Sequence, residues 1–407
     1  MSGLEGAPGR SGASDRILYL DVLRGFAVMA IFIVNIKAMT MPLAYYSNPS
    51  IWGDPTDQLI AIVQRFVVDD KWRTIFTALY GAGLLMIADR LAARGETRPI
   101  LRRRNLWLIV FGFAHFFLIW AGDILAIYGM IGLLAMLFVR RKGRGLAMFG
   151  LGFLALGTAW AGAFAYLPVV VPEFAAKVAP LVWEPTPEIL AEQIAAMQGG
   201  FLSQIGLRAE EAVAFYVFWF GFGGMWLITL GLMLCGMALY RSGLLRGAWP
   251  WAVTLPLGVV SLGAAFALDG WQIAALQRTD YAFDTQSSAT FIAMIDGYLG
   301  GFGYACIVSA LLSFGLRFGA VAAAGRMAFT NYIFSSLVGT SLAGGHLFGL
   351  FGEFSLTMLM VIVALTILTI LVVSPLWLNR FGQGPLEALW RRLVYGRSVA
   401  KAPIVAG

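Results

Sequence analysis

An all-α, polytopic membrane helix bundle is the fold class that this sequence predicts, and two observations lead to it. The first is composition: of the 407 residues 59% are hydrophobic and 13% are charged, whereas soluble domains have about 45–50% apolar and about 25% charged residues. The second is arrangement, because hydrophobic segments recur from Ile17 to Trp377 without a long polar stretch. A single transmembrane bundle over residues 17–397 therefore fits the chain better than several soluble domains.

About ten segments are long enough to cross a hydrocarbon core of about 30 Å as helices. They lie near residues 17–38, 71–91, 104–121, 123–139, 145–167, 212–240, 249–268, 289–316, 326–347 and 355–379. The first segment has no small-residue cleavage site after it, so we interpret it as a retained helix and not as a signal peptide.

Basic residues indicate which connections face the cytoplasm. The net charge is +7, and Lys and Arg concentrate in every second connection. These basic stretches are residues 10–24, 90–104, 140–144, 241–246, 317–326 and 380–397. Since cytoplasmic loops carry the excess of Lys and Arg, the pattern predicts both termini inside (N-in/C-in) and a multi-pass protein of the bacterial cytoplasmic (inner) membrane. The lipid bilayer is then its first partner, and the sequence has no nucleic-acid motif.

Three stretches outside the predicted spans complete the predicted organisation. Residues 1–16 are interpreted as a disordered cytoplasmic tail and residues 398–407 as a second cytoplasmic tail. The longest extracytoplasmic loop, about 168–211, includes a stretch with the spacing of an amphipathic helix. This helix either caps an extracytoplasmic cavity or rests on the membrane surface.

Polar groups inside spans are costly, so each is a candidate site. In the first helix Arg24 and Asn35 are eleven residues apart, which places them about 20° apart around the axis and about 16 Å apart along it. Asp21 precedes Arg24 by one turn and can pair with it. The alternative makes Asp21 a first-turn helix acid and Arg24 an anchor at the membrane surface.

The third helix repeats this spacing with Arg104 and His115. His115 falls near the bilayer centre, where a neutral imidazole can accept a proton or hydrogen-bond a neighbouring helix. Asp123 follows at the outer end and either caps the next helix or orients a catalytic group.

Lys71 and Arg73 lie on the less basic outer side, where the orientation rule does not call for them. They either bind an anionic substrate group or pair locally with Asp69 and Asp70. The two cysteines of the sequence have no paired spacing that would suggest a metal site. We therefore expect no metal and no bound cofactor.

Five segments carry a resemblance to a known family: LDVLRGFAVMAIFIVNI, KWRTIFTALYGAGL, HFFLIWAGDILAIYGMIGLL, GRMAFTNYIF and SPLWLNRFGQGPLEALWRRLVYG. In this order, from about Ile17 to Arg397, they resemble the YeiB-like family of bacterial inner-membrane proteins of unknown function, whose C-terminal region would cover about 212–397. The last two segments contain Asn331 and Glu387, which are further candidates. Two departures are Ser335, where the family pattern has a glutamine, and the GGH around His346.

At superfamily level that family is similar to membrane acyltransferases, and the resemblance implies a reaction. An O- or N-acyltransferase would move an acyl group from cytoplasmic acyl-CoA, a co-substrate, to an extracytoplasmic or membrane acceptor. Arg24 with Arg102, Arg103 and Arg104 would bind the donor phosphates, His115 would act as base, and Asn35 would stabilise the oxyanion. Two alternatives stay open, a small-molecule transporter or exporter and a non-catalytic membrane scaffold. The oligomeric state is left open.

Overall fold

The computed structural model describes residues 13–92 and 97–399, and every regular element in these two ranges is helical. The first nine α-helices are α1 (Ala13–Thr40), α2 (Ala44–Ser47), α3 (Pro55–Val67), α4 (Lys71–Leu91), α5 (Thr97–Leu118), α6 (Leu125–Ala135), α7 (Gly143–Ala165), α8 (Leu167–Val170) and α9 (Pro172–Val182). The others are α10 (Pro187–Met197), α11 (Phe201–Val217), α12 (Met225–Ser242), α13 (Trp251–Arg278), α14 (Phe283–Ser313), α15 (Gly319–Arg326), α16 (Ala328–Ala343), α17 (Leu356–Phe381) and α18 (Pro385–Val399). The predicted all-α class is confirmed.

Some sequence predictions fall outside the described residues. They concern residues 1–12 of the first tail, Arg94 in the second connection, and residues 400–407 of the last tail.

Within the described chain, seven helical segments are long and apolar enough to cross a membrane. They are Leu18–Thr40, Pro55–Leu91, Gly143–Val170, Met225–Ser242, Trp251–Arg278, Phe283–Ser313 and Leu356–Phe381. The chain is therefore a multi-helix membrane protein. The other three predicted spans correspond to α5, which begins with several arginines, and to the shorter helices α6 and α16. The count of ten spans and the orientation stay predictions.

One predicted connection and two predicted spans differ from the structure. The polar stretch before Lys71 contains the helix α3, which Asp54 caps by accepting the Thr56 N–H at 2.7 Å. The predicted span 249–268 is too short, because helix α13 continues to Arg278 into the connection that follows it. The predicted helix 212–240 is broken by a π-helical turn and by Gly224, whose φ of +61° is a left-handed conformation. Such a φ favours glycine and ends the regular helix.

Close contact between α4 and α12 holds the middle of the bundle together. A Cβ placed on Gly236 would lie 1.9 Å from the Ala78 carbonyl oxygen, and one on Gly81 would lie 2.0 Å from that of Met233. Small residues at helix contacts in membranes permit such approach and maximise van der Waals packing. Helix α4 is thereby fixed next to α12, and its first turn, which carries Lys71, lies against α14.

Candidate functional site

His115 and Asp123 form a buried pair at the junction of α5 and α6. His115 lies in the last turn of α5, and Asp123 lies just before α6 begins. The imidazole Nδ1 and the Asp123 Oδ1 are 2.9 Å apart, with side chains 1% and 0% exposed. The short connection between two antiparallel neighbours brings residues eight positions apart into contact.

The second oxygen of Asp123 fixes the hydrogen-bond pattern of this pair. Asp123 Oδ2 accepts the Ala126 N–H at 2.7 Å, as a helix cap does. A carboxylate accepts hydrogen bonds only, so we assign the imidazole hydrogen to Nδ1, which donates to Oδ1. His115 Nε2 then has a free lone pair, and it is buried without a hydrogen-bond partner among the described residues.

Aromatic side chains surround the imidazole. The Tyr332 ring centroid lies 5.1 Å from that of His115, and the Trp120 ring lies 6.3 Å away and edge-on. The Tyr216 hydroxyl is buried and has no hydrogen-bond partner in the described part of the chain, and the buried Tyr332 hydroxyl lies near the backbone of Ile124. His115 Nε2 and the Tyr216 hydroxyl are therefore two polar atoms with unused hydrogen-bonding capacity in this region.

Helix α11 covers this region on one side. The Tyr216 and Phe215 rings, at its C-terminal end, pack on Phe116 with centroids 5.7 and 5.3 Å apart. Arg208, which is buried, donates from Nη1 to the Phe117 carbonyl oxygen at 3.0 Å and from Nη2 to Gln204 at 3.1 Å. Helix α11, which begins in the predicted extracytoplasmic loop and ends in the predicted span 212–240, thus packs on α5 next to His115.

A second buried polar site surrounds Lys71, the first residue of α4. Its ammonium group is fully buried and lies 3.0 Å from Asp269 Oδ2 and 3.4 Å from Asp296 Oδ1. It also donates to the Arg65 carbonyl oxygen at 3.0 Å. A Cβ on Gly300 would lie 2.6 Å from the Lys71 side chain, so the absence of a side chain there makes room for Lys71.

Amide side chains extend this ion cluster. Gln272 donates to Asp296 Oδ2 at 2.9 Å and accepts from the Arg65 guanidinium at 2.6 Å. Arg73 pairs with Asp70 at 2.7 Å, as local pairing predicts. Lys71, by contrast, pairs with Asp269 and Asp296, which the sequence analysis did not select.

The basic candidates for donor binding differ in their contacts. Arg24 pairs with Asp21 at 3.1 Å, as their spacing predicts. The Arg104 guanidinium lies 3.8 Å from the centroid of the Trp390 ring, while Arg102 and Arg103 are exposed. Arg24 and Arg104 are close enough for their charges to interact.

A basic cavity of about 380 Å³ lies where α4, α5 and α12 end or begin, and its lining includes Arg98, Arg140 and Arg241. Arg241 also pairs with Asp89 at 2.8 Å across the cavity wall. The sequence analysis used this set only for orientation. Its clustering depends on packing between distant helices, which one sequence does not reveal.

The two asparagine candidates, Asn35 and Asn331, have different surroundings. Asn35 is half-buried on α1, and no hydrogen bond links it to His115 in the described chain. Asn331 donates to the Ala324 carbonyl oxygen at 3.0 Å and to Ser374 at 3.1 Å, so it connects α15, α16 and α17.

Glu387 caps the N-terminus of α16. It accepts the Phe329 and Thr330 N–H groups at 2.8 and 3.0 Å and the Thr330 hydroxyl at 2.5 Å. Burial raises the pKa of Glu387, although these hydrogen bonds act in the opposite direction.

Asp269, Asp296 and Gln272 are the functional candidates that the sequence analysis missed. Asp296 lies inside a predicted hydrophobic span, so the cost of intramembrane charge could have identified it. Asp269 was placed in a loop because the predicted helix ended at residue 268. For metals, the described ranges contain no group of three or more His, Cys, Asp or Glu side chains arranged to hold an ion.

An all-helical membrane protein with two buried polar sites is the class that these observations define. The chain belongs to the family of the "Uncharacterized protein YeiB" from Escherichia coli (strain K12), with which it is 31% identical over 394 residues, 93% of this chain and 96% of that protein. The "Uncharacterized protein YxaH" from Bacillus subtilis (strain 168) is 26% identical over 94% of this chain and 95% of its own length.

The C-terminal part, residues 239–397, matches the family model described as "Protein of unknown function (DUF418)". No solved structure matches the chain. The predicted membership of a YeiB-like family is thus confirmed, whereas the similarity to acyltransferases stays a prediction.

Proposed function

We propose that this protein is an acyltransferase of the bacterial cytoplasmic membrane that uses His115 as its general base. One observation carries the proposal: a buried imidazole is oriented by a carboxylate through Nδ1, while Nε2 has no partner in the described chain. A buried polar atom without a partner costs about 1–3 kcal/mol. A substrate group that donates a hydrogen bond to Nε2 would remove this cost.

The same arrangement of imidazole and carboxylate activates nucleophiles in many hydrolases and transferases. An acceptor O–H or N–H gives its proton to Nε2 while its oxygen or nitrogen attacks the carbonyl carbon of an acyl-CoA thioester. The C–S bond then breaks, and the CoA thiolate takes the proton from the imidazolium and leaves as a free thiol. Asp123 stabilises the imidazolium between these steps.

A donor for the developing oxyanion is also needed. Asn35 is the candidate from the sequence. The Tyr332 hydroxyl is a second one, because its ring packs against the imidazole.

The basic cavity supports a polyanionic, cytoplasmic donor. Arg98 and His115 lie on the same helix seventeen residues apart, about 26 Å along its axis. A donor whose phosphates bind near Arg98 therefore needs a long, extended arm to bring its acyl group to His115, and acyl-CoA has this form. Arg104 is about 16 Å from His115 along the helix axis. Arg104 and Arg24 are alternative residues for contact with the donor phosphates.

A transporter is the second candidate, and the ion cluster around Lys71 favours it. Charged side chains buried in membrane spans are often parts of solute or proton pathways. A transporter moves its solute unchanged, so it forms no product from acyl-CoA.

The experiment is a transfer assay on purified protein in liposomes containing bacterial lipids, with radiolabelled acetyl-CoA and a longer acyl-CoA. Product is measured in the lipid and the aqueous fractions. We expect acyl transfer by the wild type and its loss in His115→Gln, while His346→Gln, which changes the exposed second histidine, retains it. Transfer that survives His115→Gln would contradict the role of this residue, and no transfer from either donor would favour transport.

A further inference from the structure

An apolar groove of about 310 Å³ lies where α4, α7, α12 and α14 meet. Most of its lining is aliphatic, and no charged side chain of the described residues belongs to it. Leu151, which is part of the lining, is 60% exposed, so the groove opens on the outside of the bundle. Because α7 and α14 lie in segments that are long and apolar enough to cross a membrane, the groove opens toward the hydrocarbon of the bilayer.

One wall of the groove is a row of residues on α7. Ala147, Leu151 and Leu154 line the groove at helical spacing, so they lie on one face of the helix. Thr158 follows one turn later on the same face. Its hydroxyl lies 2.9 Å from that of Tyr298 on α14, and this hydrogen bond joins the two helices at that end of the groove.

Two arginines without a carboxylate partner lie at the other end of the groove. Arg144 precedes Ala147 by three residues and continues the row toward the start of α7. Arg246 directly follows Leu245, which lines the groove. Its Nε is buried and has no hydrogen-bond partner in residues 13–92 and 97–399. No carboxylate of the described chain pairs with either arginine, so both guanidinium groups can bind an anion.

Contacts of Arg241 show that these two arginines lie close together. A Cβ on Gly143, the residue before Arg144, would lie 3.4 Å from the Arg241 Cβ. Arg246 donates from Nη2 to the Arg241 carbonyl oxygen at 3.5 Å. Arg241 itself pairs with Asp89 at 2.8 Å, which neutralises its charge. The two other arginines therefore leave an excess of positive charge next to an apolar surface.

We propose that the groove binds one acyl chain of an anionic phospholipid, whose phosphate group contacts Arg144 and Arg246. A cavity of about 150 Å³ binds benzene, so a groove of about twice that size has room for roughly 12 chain carbons. Basic residues between membrane helices at the cytoplasmic side bind anionic lipid headgroups. Both arginines lie in connections whose charge predicts this side. Charge and shape thus favour the same occupant.

Two other compounds share only part of this chemistry. Zwitterionic phosphatidylcholine has the same chains, but its cationic group would lie near the arginines and weaken the attraction. A soluble phosphate ester could contact the arginines but has no chain for the groove. The site does not depend on acyl transfer at His115, since helices other than α5 and α6 form the groove.

The test uses delipidated full-length protein in detergent and counts bound lipids by native mass spectrometry. The probe is palmitoyl-oleoyl-phosphatidylglycerol, and the comparisons are phosphatidylcholine with the same chains and soluble glycerol 3-phosphate. We expect half-saturation by the first phosphatidylglycerol at a concentration at least about tenfold below that for phosphatidylcholine. Glycerol 3-phosphate at the same concentration should not compete.

Variants of the arginines test the contact with the headgroup. Arg144→Gln and Arg246→Gln should each raise the half-saturating concentration of phosphatidylglycerol about fivefold, equivalent to about 1 kcal/mol. Binding of phosphatidylcholine should stay unchanged. Arg278→Gln, at an exposed position at the end of α13, is the matched control and should bind both lipids as the wild type does. Unchanged phosphatidylglycerol binding in both arginine variants would contradict the proposal.

Variants of α7 test the groove itself. Ala147→Phe should abolish tight binding by filling the groove, whereas Ala159→Phe, at an exposed position of α7 outside the lining, should retain it. If Ala147→Phe does not fold, Leu151→Trp narrows the groove with the same expected direction. Equal binding of the two phospholipids by the wild type, competition by glycerol 3-phosphate, or tight binding that persists in the groove variants would overturn the proposal.

Discussion

The His115–Asp123 pair and the ion cluster of Lys71 are both buried in the bundle, but they are built differently. The pair joins two consecutive helices and leaves one imidazole nitrogen free. The cluster joins side chains from α3, α4, α13 and α14, and Lys71 is separated from Asp296 by 225 residues. Loss of a cluster charge should therefore damage assembly of the bundle, whereas a change in the pair should damage chemistry more than folding.

The largest effect is expected for Lys71→Ala. This variant leaves Asp269 and Asp296 buried without their shared cation, and removal of one partner of a buried pair costs about 3–5 kcal/mol. We expect a large fall in Tm or no recovery of folded protein. Arg102→Ala, at an exposed arginine, is the control and should unfold as the wild type does. A wild-type Tm for Lys71→Ala would remove the distinction between the two regions.

Asp123→Asn should lower transfer activity strongly and change Tm little, which is the opposite of what we expect for Lys71→Ala. The amide oxygen can still accept the Ala126 N–H, so we expect little change in Tm. The amide N–H₂ would donate to His115 Nδ1, which moves the imidazole hydrogen to Nε2 and removes the free lone pair. Transfer activity should fall at least about a hundredfold, equivalent to about 2.7 kcal/mol. Nitrogen-15 NMR of labelled histidine would report the change of tautomer, and an unchanged tautomer with unchanged activity would contradict the assignment.

Arg208→Met tests the contact between α11 and α5. The variant keeps most of the side-chain volume but loses the hydrogen bond to the Phe117 carbonyl oxygen. A hydrogen bond that involves a charged group contributes about 1.5–3 kcal/mol, so we expect a moderate fall in Tm. Arg103→Met, at an exposed position on α5, is the matched control. Equal Tm values for the two variants would show that the hydrogen bond between Arg208 and Phe117 adds no stability.

Glu387→Gln should have the smallest effect, and this effect should depend on pH. Because burial raises the pKa of Glu387 above its usual value of 4.5, the stability that this residue contributes is fully present below that value. It is lost as pH rises through the higher pKa of the folded state. The Tm of the wild type should therefore fall relative to that of Glu387→Gln between about pH 4 and pH 8. A constant difference in Tm over this range would contradict the direction of the pKa shift.

The sequence predicts local features of this protein better than distant ones. The helical class and the Asp21–Arg24 pair follow from hydrophobic segments and from spacing within one helix. The partners of Lys71 do not, because they come from a hairpin of helices about 200 residues later in the chain. The break at Gly224 was hidden by the hydrophobic residues on either side, which make the segment resemble one continuous span. Likewise, Glu387 could be selected as a candidate, but its role as the cap of α16 depends on tertiary contact.

The long separation between Lys71 and its partners has a consequence for biogenesis. At a synthesis rate of about 5–20 residues per second, roughly 10–45 s pass between the emergence of Lys71 and that of Asp296 from the ribosome. During this interval α4 enters the membrane without its counter-charges. Lys71 is the first residue of α4, so its ammonium can stay in the interfacial water until α13 and α14 are inserted. Closure of the ion cluster is then a late step of membrane insertion that requires the second half of the chain.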